Sequence, residues 1–136
     1  MAKSTVNIWR KGRKCSFELY VHLIFLTKHK DVFKIEHFSR LKEIFEKTAR
    51  QMKCQLIDFQ ADKDYVHLFV AIYPTISVSS LTAKLKGKSS YFLTREFADI
   101  KDKTLNKVFW SSSYCAISHG EDTSEQIKRF LEQNKN

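Results

Sequence analysis

Proline, glycine and cysteine are scarce in this sequence. Its 136 residues include one proline, three glycines and three cysteines. No Pro-rich or Gly-rich linker, internal repeat or low-complexity segment divides the chain, so we expect one domain over residues 1–136. The cysteines are Cys15, Cys54 and Cys115. They form no Cys-x-x-Cys pair, which argues against a zinc or redox motif and predicts reduced thiols used mainly in packing.

Long apolar runs are also absent. No stretch approaches the roughly 18 apolar residues that span a bilayer, and the N-terminal segment lacks the apolar core of a secretory signal. We therefore expect no membrane segment and a cytoplasmic location. A content of 43% hydrophobic and 13% aromatic residues excludes an intrinsically disordered chain.

Acidic residues are outnumbered by basic ones. The chain has 24 Lys and Arg against 15 Asp and Glu, a net charge of +9. Such an excess favours polyanionic partners, nucleic acid before a membrane surface. Residues 1–15 carry basic side chains and no acidic one. This arm either lies on phosphates or is a solvated, flexible terminus.

The hydrophobic pattern predicts an α+β fold. Strands are predicted at Phe17–Thr27, Gln55–Ala61, Tyr65–Tyr73 and Val108–Ile117, and helices over residues 37–53, 77–97 and from Thr123 through Leu131. Thr123 with Gln126 fits a capping box at the last helix. This order predicts a ferredoxin-like or RRM-like antiparallel sheet with helices on one face and the other face available.

Alternation along the third predicted strand separates two kinds of residue. Val66, Leu68, Val70 and Ile72 share one face, and Tyr65, His67 and Phe69 share the other. We expect polar chemistry to be on the second face.

Several short motifs, in order along almost the whole chain, carry a family resemblance. They are Tyr20-Val21-His22-Leu23, Thr27-Lys28, Asp64 to Val70, Pro74 with Ser77, Leu85 to Ser90, Trp110, Tyr114, Gly120 and Ile127 to Asn134. With them the chain resembles the small single-tyrosine HUH transposases of bacterial and archaeal insertion sequences, the two-hundred/six-hundred-five group. The resemblance implies a DNA-transposing enzyme with a tyrosine nucleophile and a divalent metal.

The metal-binding motif of that family is only half present. The family reads Asp-His-hydrophobic-His, whereas this chain reads Asp64-Tyr65-Val66-His67. Tyr65 therefore occupies the first ligand position, and a phenol with a pKa near 10 is a poor ligand for magnesium or manganese. We expect metal binding at His67 to be weak or absent. Without the resemblance, His67 is equally well a hydrogen-bonded histidine of a half-buried strand.

The nucleophile motif is also altered. The resemblance places the family tyrosine at Phe130 and the glutamine that completes the metal site at Asn134. Phenylalanine has no hydroxyl and cannot form a phosphotyrosyl bond. Without the resemblance, Phe130 is an apolar anchor beside Ile127 and Leu131. We expect strand cleavage to be lost, unless another tyrosine such as Tyr65 substitutes.

The DNA-binding part of the resemblance is better preserved. Lys84, Lys86, Lys88 and Ser89 match the family helix that grips the backbone of a DNA hairpin, and Lys28 and Lys30 could extend the surface. Taken singly, each lysine is more simply a solvated charge.

The leading hypothesis is a transposase-family homodimer that binds hairpin-bearing single-stranded DNA and does not cleave it. In the family, the last helix of one chain completes the site of the other. Two alternatives remain open: an active metal-dependent transposase with an atypical site, and an RNA-binding regulator in which Tyr65 and Phe69 stack on bases.

Overall fold

The structure, a computed structural model, describes residues 10–11, 16–104 and 109–134. Six strands and four helices follow one another along these residues. They are β1 (Arg10–Lys11), β2 (Ser16–Phe17), β3 (Tyr20–Thr27), α1 (Ile35–Gln51), β4 (Gln55–Ala61), β5 (Tyr65–Ala71), α2 (Val78–Glu96), α3 (Ala98–Thr104), β6 (Trp110–Ser118) and α4 (Thr123–Gln133).

The main sheet has four antiparallel strands in the order β4-β5-β3-β6. The first long strand, β3, is therefore central, between β5 and β6. This order is that of a ferredoxin-like fold. The predicted α+β antiparallel architecture is confirmed. β1 and β2 form a separate two-stranded ladder.

The core lies between one face of the sheet and helices α1 and α2. Val66, Leu68 and Val70 of β5 are fully buried, as their alternation predicts. Each such side chain contributes roughly 1.5–3 kcal/mol through removal from water. The other residues of this core are Val21, Leu23 and Phe25 of β3, Leu41, Ile44 and Phe45 of α1, and Leu81, Leu85 and Leu93 of α2, among others.

Two predicted strands are shorter in the structure. The first is interrupted at Glu18 and Leu19, where the Leu19 carbonyl accepts a hydrogen bond from the Ile72 amide. The third ends at Ala71 and not at Tyr73, because the chain leaves the sheet and turns through Pro74 and Thr75, where the Tyr73 carbonyl accepts from the Ile76 amide. Ile72 therefore lies beyond the strand in which its alternation was predicted.

Two features of the helices differ from the sequence prediction. Helix α3 follows α2 after one extended residue, Phe97, and was not predicted. The predicted capping box at α4 is wrong, since Asp122 is the N-cap. The Thr123 hydroxyl accepts from the Gly120 amide and donates to the Ser118 carbonyl, so it ties the β6–α4 loop together and is not free to cap the helix.

Some predictions fall on residues outside the described ranges. Of the basic arm over residues 1–15, the structure describes Arg10–Lys11 alone, whose backbone pairs with Ser16–Phe17. Val108 and Cys15 also lie outside. Cys54 lies in the core, and Cys115 is a free, half-buried thiol.

None of the helices among the described residues combines the length and the apolar character needed to cross a membrane.

Candidate functional site

Three histidines form a hydrogen-bonded chain on the face of the sheet opposite α1 and α2. They come from β3, from β5 and from the residue after β6. His22 Nδ1 lies 2.9 Å from His67 Nε2, and His22 Nε2 lies 2.9 Å from His119 Nδ1. The chain runs from exposed His119 through buried His22 to half-buried His67. The central ring thus links two positions that are far apart in sequence.

The central histidine is held in its neutral form. Burial, together with the neighbouring His67 and His119, lowers the pKa of His22 to about 4, against an opposing effect of Asp58. Burial also lowers the pKa of His67, while Asp58 raises it. A neutral imidazole donates through one nitrogen and accepts through the other. At neutral pH the neutral His22 ring therefore donates a hydrogen bond to one of its two histidine neighbours and accepts one from the other.

Aromatic packing closes this face around His22. Phe69 stacks on the His22 ring with centroids 4.5 Å apart, and Tyr20 lies against Phe69 at 5.7 Å. His22, Phe69 and Ile24 are nearly inaccessible to water. The sequence interpretation expected this face to be available. In the structure its centre is buried, and of the two aromatic residues proposed to stack on RNA, Tyr65 alone keeps exposed surface.

Tyr65 is a poor ligand and a poor nucleophile in this setting. It is half-buried on the same face as His67, two residues earlier in β5. Burial raises its pKa above the ordinary value of 10, and Asp62 and Asp64 raise it further. The phenol therefore stays protonated at neutral pH.

The donor set at His67 does not fit the metal that the family resemblance implies. His67 Nε2, the nitrogen facing His22, is already hydrogen-bonded. Magnesium and manganese prefer several oxygen ligands, whereas the groups around His67 are imidazoles, a protonated phenol and a single carboxylate, that of Asp58. In the ranges that the structure describes, no cluster of three or more His, Cys, Asp or Glu side chains is arranged to hold a metal ion.

The two α4 positions do not join this cluster within one chain. Phe130 is half-buried, and exposed Asn134 donates from Nδ2 to the Phe130 carbonyl in its own helix. Among the described residues, no hydrogen bond or ring contact connects either one to His67. The sequence-predicted positions Tyr65 and His67 are therefore together on β5, and Phe130 and Asn134 are separate from them.

The predicted DNA-binding residues of α2 divide between two sides of the helix. Lys84 and Lys88 are exposed. Lys86 turns inward, where its Nζ donates to the Ser111 carbonyl at 2.8 Å and lies over the Tyr114 and Phe25 rings. Burial lowers its pKa. The helical period explains the split, since residues four apart share a face and residues two apart do not.

Ser89 also points into the interior of the protein. Its buried hydroxyl accepts from Trp110 Nε1 at 2.9 Å and donates to the Leu85 carbonyl. Lys28 and Lys30 are exposed in the turn after β3. Of the six predicted DNA-binding residues, four therefore present their side chains to solvent.

Sequence reasoning missed His22 and His119 as site residues. His22 was visible within a motif, but no local signal shows that it faces His67 across β3 and β5. The register places His22 opposite Phe69 and Ile24 opposite His67. In this register His22 and His67 are diagonal neighbours on one face of the sheet. The pairing of β3 with β5 would have to be known to predict that the two histidines meet.

The chain matches the family model "Transposase IS200 like" over residues 15–134. It belongs to the IS200-like transposase family. The transposase for insertion sequence element IS200 of Salmonella typhimurium is 31% identical over 118 residues, which cover 84% of this chain and 78% of that protein. The ISDra2 transposase TnpA of Deinococcus radiodurans is 29% identical over 124 residues, 90% of this chain and 89% of that one.

One solved structure agrees with this family assignment, and a second shows the same fold. A crystal structure of a candidate transposase from Deinococcus radiodurans superposes with a TM-score of 0.81 at 30% identity, covering 91% of this chain and 96% of that chain. A REP-associated tyrosine transposase bound to a REP hairpin shares the fold, with a TM-score of 0.54 at 8% identity over 88% of this chain and 67% of that chain.

Proposed function

We propose that this transposase-family chain binds hairpin-bearing single-stranded DNA through the outer side of α2 and does not cleave it. The observation that carries the proposal is a contrast within the chain. Lys84 and Lys88 are exposed, with no acidic partner among the described residues, whereas the position of the family nucleophile is Phe130.

The loss of cleavage rests on three linked positions. Phe130 has no hydroxyl to attack a phosphate, and Asn134 is one methylene shorter than the glutamine of the family pattern. Tyr65 replaces an imidazole and stays protonated. Groups that act as one catalytic unit are not additive, so each loss alone would remove most of the rate.

DNA is the partner that the charge and the family favour. A chain with net charge +9 gains affinity for phosphates through release of condensed counterions. The hairpin part of the proposal draws on the family resemblance. The REP-associated transposase bound to a hairpin supports it at the level of the shared fold.

A homodimer is part of the proposal. Ile127, Phe130 and Leu131 lie within two turns of α4, and all three are half-buried. Thr123 is the buried residue of this helix. A second copy could cover these apolar side chains, as the family resemblance implies for the last helix.

The RNA-binding alternative has less support. It needs two aromatic residues that can stack on bases, and Phe69 is buried against His22. The active-transposase alternative needs a nucleophile, and Tyr65, with its raised pKa, is not activated.

A salt titration tests the proposed function. The probe is a fluorescent DNA hairpin with single-stranded flanks, measured by anisotropy at several salt concentrations. We expect affinity to fall steeply with salt, and the double substitution Lys84→Gln, Lys88→Gln to reduce the slope of log K against log salt by about 2. Lys42→Gln with Lys47→Gln, on the exposed side of α1, is the matched control. A flat salt dependence, or equal loss with the control pair, would refute the proposal.

A further inference from the structure

The three histidines of the sheet are connected head to tail. His22 Nδ1 faces His67 Nε2, and His22 Nε2 faces His119 Nδ1, both at 2.9 Å. Each contact therefore joins the Nδ1 atom of one ring to the Nε2 atom of the next. The outer nitrogens of the chain are His67 Nδ1 and His119 Nε2, and His119 is exposed to solvent.

The central ring is neutral, so its two contacts are of opposite kinds. His22 is 1% exposed, and an isolated charge at such a buried position is costly. Among the described residues, both hydrogen-bond partners of its ring are histidines, and neither is an acid that could stabilise a charged ring. A neutral imidazole carries one proton, so His22 donates to one neighbour and accepts from the other.

Two arrangements of the protons satisfy both contacts when all three rings are neutral. If His22 donates from Nδ1, then His67 accepts at Nε2 and carries its proton on Nδ1, and His119 donates from its own Nδ1. If His22 donates from Nε2, the same reasoning places the proton on Nε2 in every ring. The head-to-tail order thus gives all three rings the same tautomer, and no ring can change its tautomer alone.

The carboxylate of Asp58 favours the first arrangement. Asp58 lies on the edge strand β4, beside β5, and His119 follows β6 at the opposite edge of the sheet. Burial lowers the pKa of both His67 and His22, and Asp58 opposes this effect in both, so the carboxylate acts on the His67 end. In the Nδ1–H arrangement the N–H bonds between the rings point from His119 toward His67. The positive end of the hydrogen-bonded chain then faces the negative charge.

We propose that the three rings act as one tautomeric relay, in which Asp58 holds His67, His22 and His119 in the Nδ1–H form. The exposed His119 Nε2 is then a hydrogen-bond acceptor, set by a carboxylate three strand spacings, roughly 14 Å, away. A ligand at this nitrogen has to offer a donor, such as the amino group of a nucleobase, whereas a phosphodiester only accepts. By linkage, a group bound at His119 also biases the tautomer of His67. This inference does not depend on the proposed function.

Nuclear magnetic resonance of the full-length protein with ¹⁵N-labelled histidine tests the relay. Long-range ¹H–¹⁵N spectra at pH 8 distinguish a protonated ring nitrogen from an unprotonated one. His37 is a built-in reference, because its Nδ1 accepts from the Lys34 amide at 2.9 Å and its proton is therefore on Nε2. Asp58→Asn removes the charge and keeps the oxygen that accepts from the Phe59 amide. Asp62→Asn is the matched control, since Asp62 also accepts from the next amide along the chain.

We expect His67, His22 and His119 to show the Nδ1–H form in the unmodified protein, and His37 the opposite form. In Asp58→Asn the three rings should shift together toward the Nε2–H form, so that the ratio of the two forms changes by the same factor in each. Asp62→Asn should leave this ratio unchanged. In the His22→Phe background, His67 should keep its response to Asp58→Asn and His119 should lose it.

Different tautomers among the three rings of the unmodified protein would overturn the relay. A response to Asp58→Asn that is confined to His67, or a His119 response that persists in the His22→Phe background, would also overturn it. A common Nε2–H form, or a common form that Asp58→Asn does not alter, would overturn the role of Asp58. These results are available from the unmodified protein and Asp58→Asn even if His22→Phe does not fold.

Discussion

The histidine face of the sheet and the outer side of α2 treat their polar side chains in opposite ways. On the sheet, His67 is hydrogen-bonded to His22, and Tyr65, which we propose replaces a metal ligand of the family, is half-buried beside it. On α2, Lys84 and Lys88 are exposed, with no acidic partner among the described residues. One region satisfies its polar groups internally, and the other leaves its cations available to a ligand.

This difference separates two properties that an active transposase combines. Phosphate binding needs accessible positive charge, which a helix surface supplies without help from the sheet. Strand cleavage needs a nucleophile and an electrophilic centre held together within a fraction of an ångström. The first property can therefore survive substitutions that abolish the second.

The largest effect on stability should come from the histidine chain. Unfolded His22 has a pKa near 6.5, and in the folded protein it is about 4. As pH falls from about 6.5 to about 4, the unfolded state takes up a proton that the folded state does not. The contribution of His22 should therefore lower stability by roughly 3 kcal/mol over this window and then level off.

Denaturant unfolding at a series of pH values checks this prediction. His22→Gln should be less stable than the unmodified protein at pH 8 and should show a flatter decline on acidification. His119→Gln, at the exposed end of the histidine chain, should lower stability less than His22→Gln does. Parallel pH curves for the unmodified protein and His22→Gln would show that the central ring does not carry the effect.

A smaller loss is expected at Ser89. Ser89→Ala leaves the buried Trp110 Nε1 without its acceptor, which should cost about 1–3 kcal/mol in the free energy of unfolding. Hairpin affinity should not change. Ser90→Ala is the neighbouring control and should have little effect on either measurement. Weaker DNA binding by Ser89→Ala at unchanged stability would instead place this serine in the DNA interface.

The two sides of α2 can be compared with one type of substitution. Lys86→Met should cost about 1–2 kcal/mol of stability, because it removes the hydrogen bond to the Ser111 carbonyl and the cation from the Tyr114 ring. Lys84→Met, on the exposed side, should change stability by less than about 0.5 kcal/mol and weaken hairpin binding. Denaturant unfolding and fluorescence anisotropy on the same samples measure both effects. A loss of stability in Lys84→Met, or weaker hairpin binding by Lys86→Met at unchanged stability, would contradict this assignment.

The smallest effect should be that of manganese on stability. A ligand that binds the folded state raises Tm according to its concentration relative to Kd. Because the donor set at His67 does not suit manganese, the Tm should stay constant up to millimolar concentrations. A rise in Tm that disappears in His67→Ala would contradict this interpretation of the site.

The fold could be predicted because its signals are local. The alternation of Val66, Leu68 and Val70 against Tyr65 and His67 is visible in consecutive residues, and the structure confirms it. The interruption at Glu18 and Leu19 could not be foreseen, because the sequence from Phe17 to Thr27 is continuously apolar. It depends on a hydrogen bond with the distant Ile72.

The candidate site was less predictable because it depends on strand register. His22 and His119 are 97 residues apart, and only the pairing of β3 with β5 and β6 joins them to His67. The inward side chain of Lys86 was partly predictable. Its place on α2, two residues from Lys84 and from Lys88, already puts it on another face of the helix.

The most direct test of the account is a search for a covalent protein–DNA adduct. A labelled single strand carrying a hairpin is incubated with the unmodified protein in magnesium or manganese, and the products are separated under denaturing conditions. Tyr65→His, Phe130→Tyr, Asn134→Gln is the companion variant, which introduces the residues that the family resemblance implies at these positions. We expect both proteins to bind the DNA in a salt-sensitive manner, and the unmodified protein to form no covalent adduct. A metal-dependent phosphotyrosyl adduct formed by the unmodified protein would contradict the account.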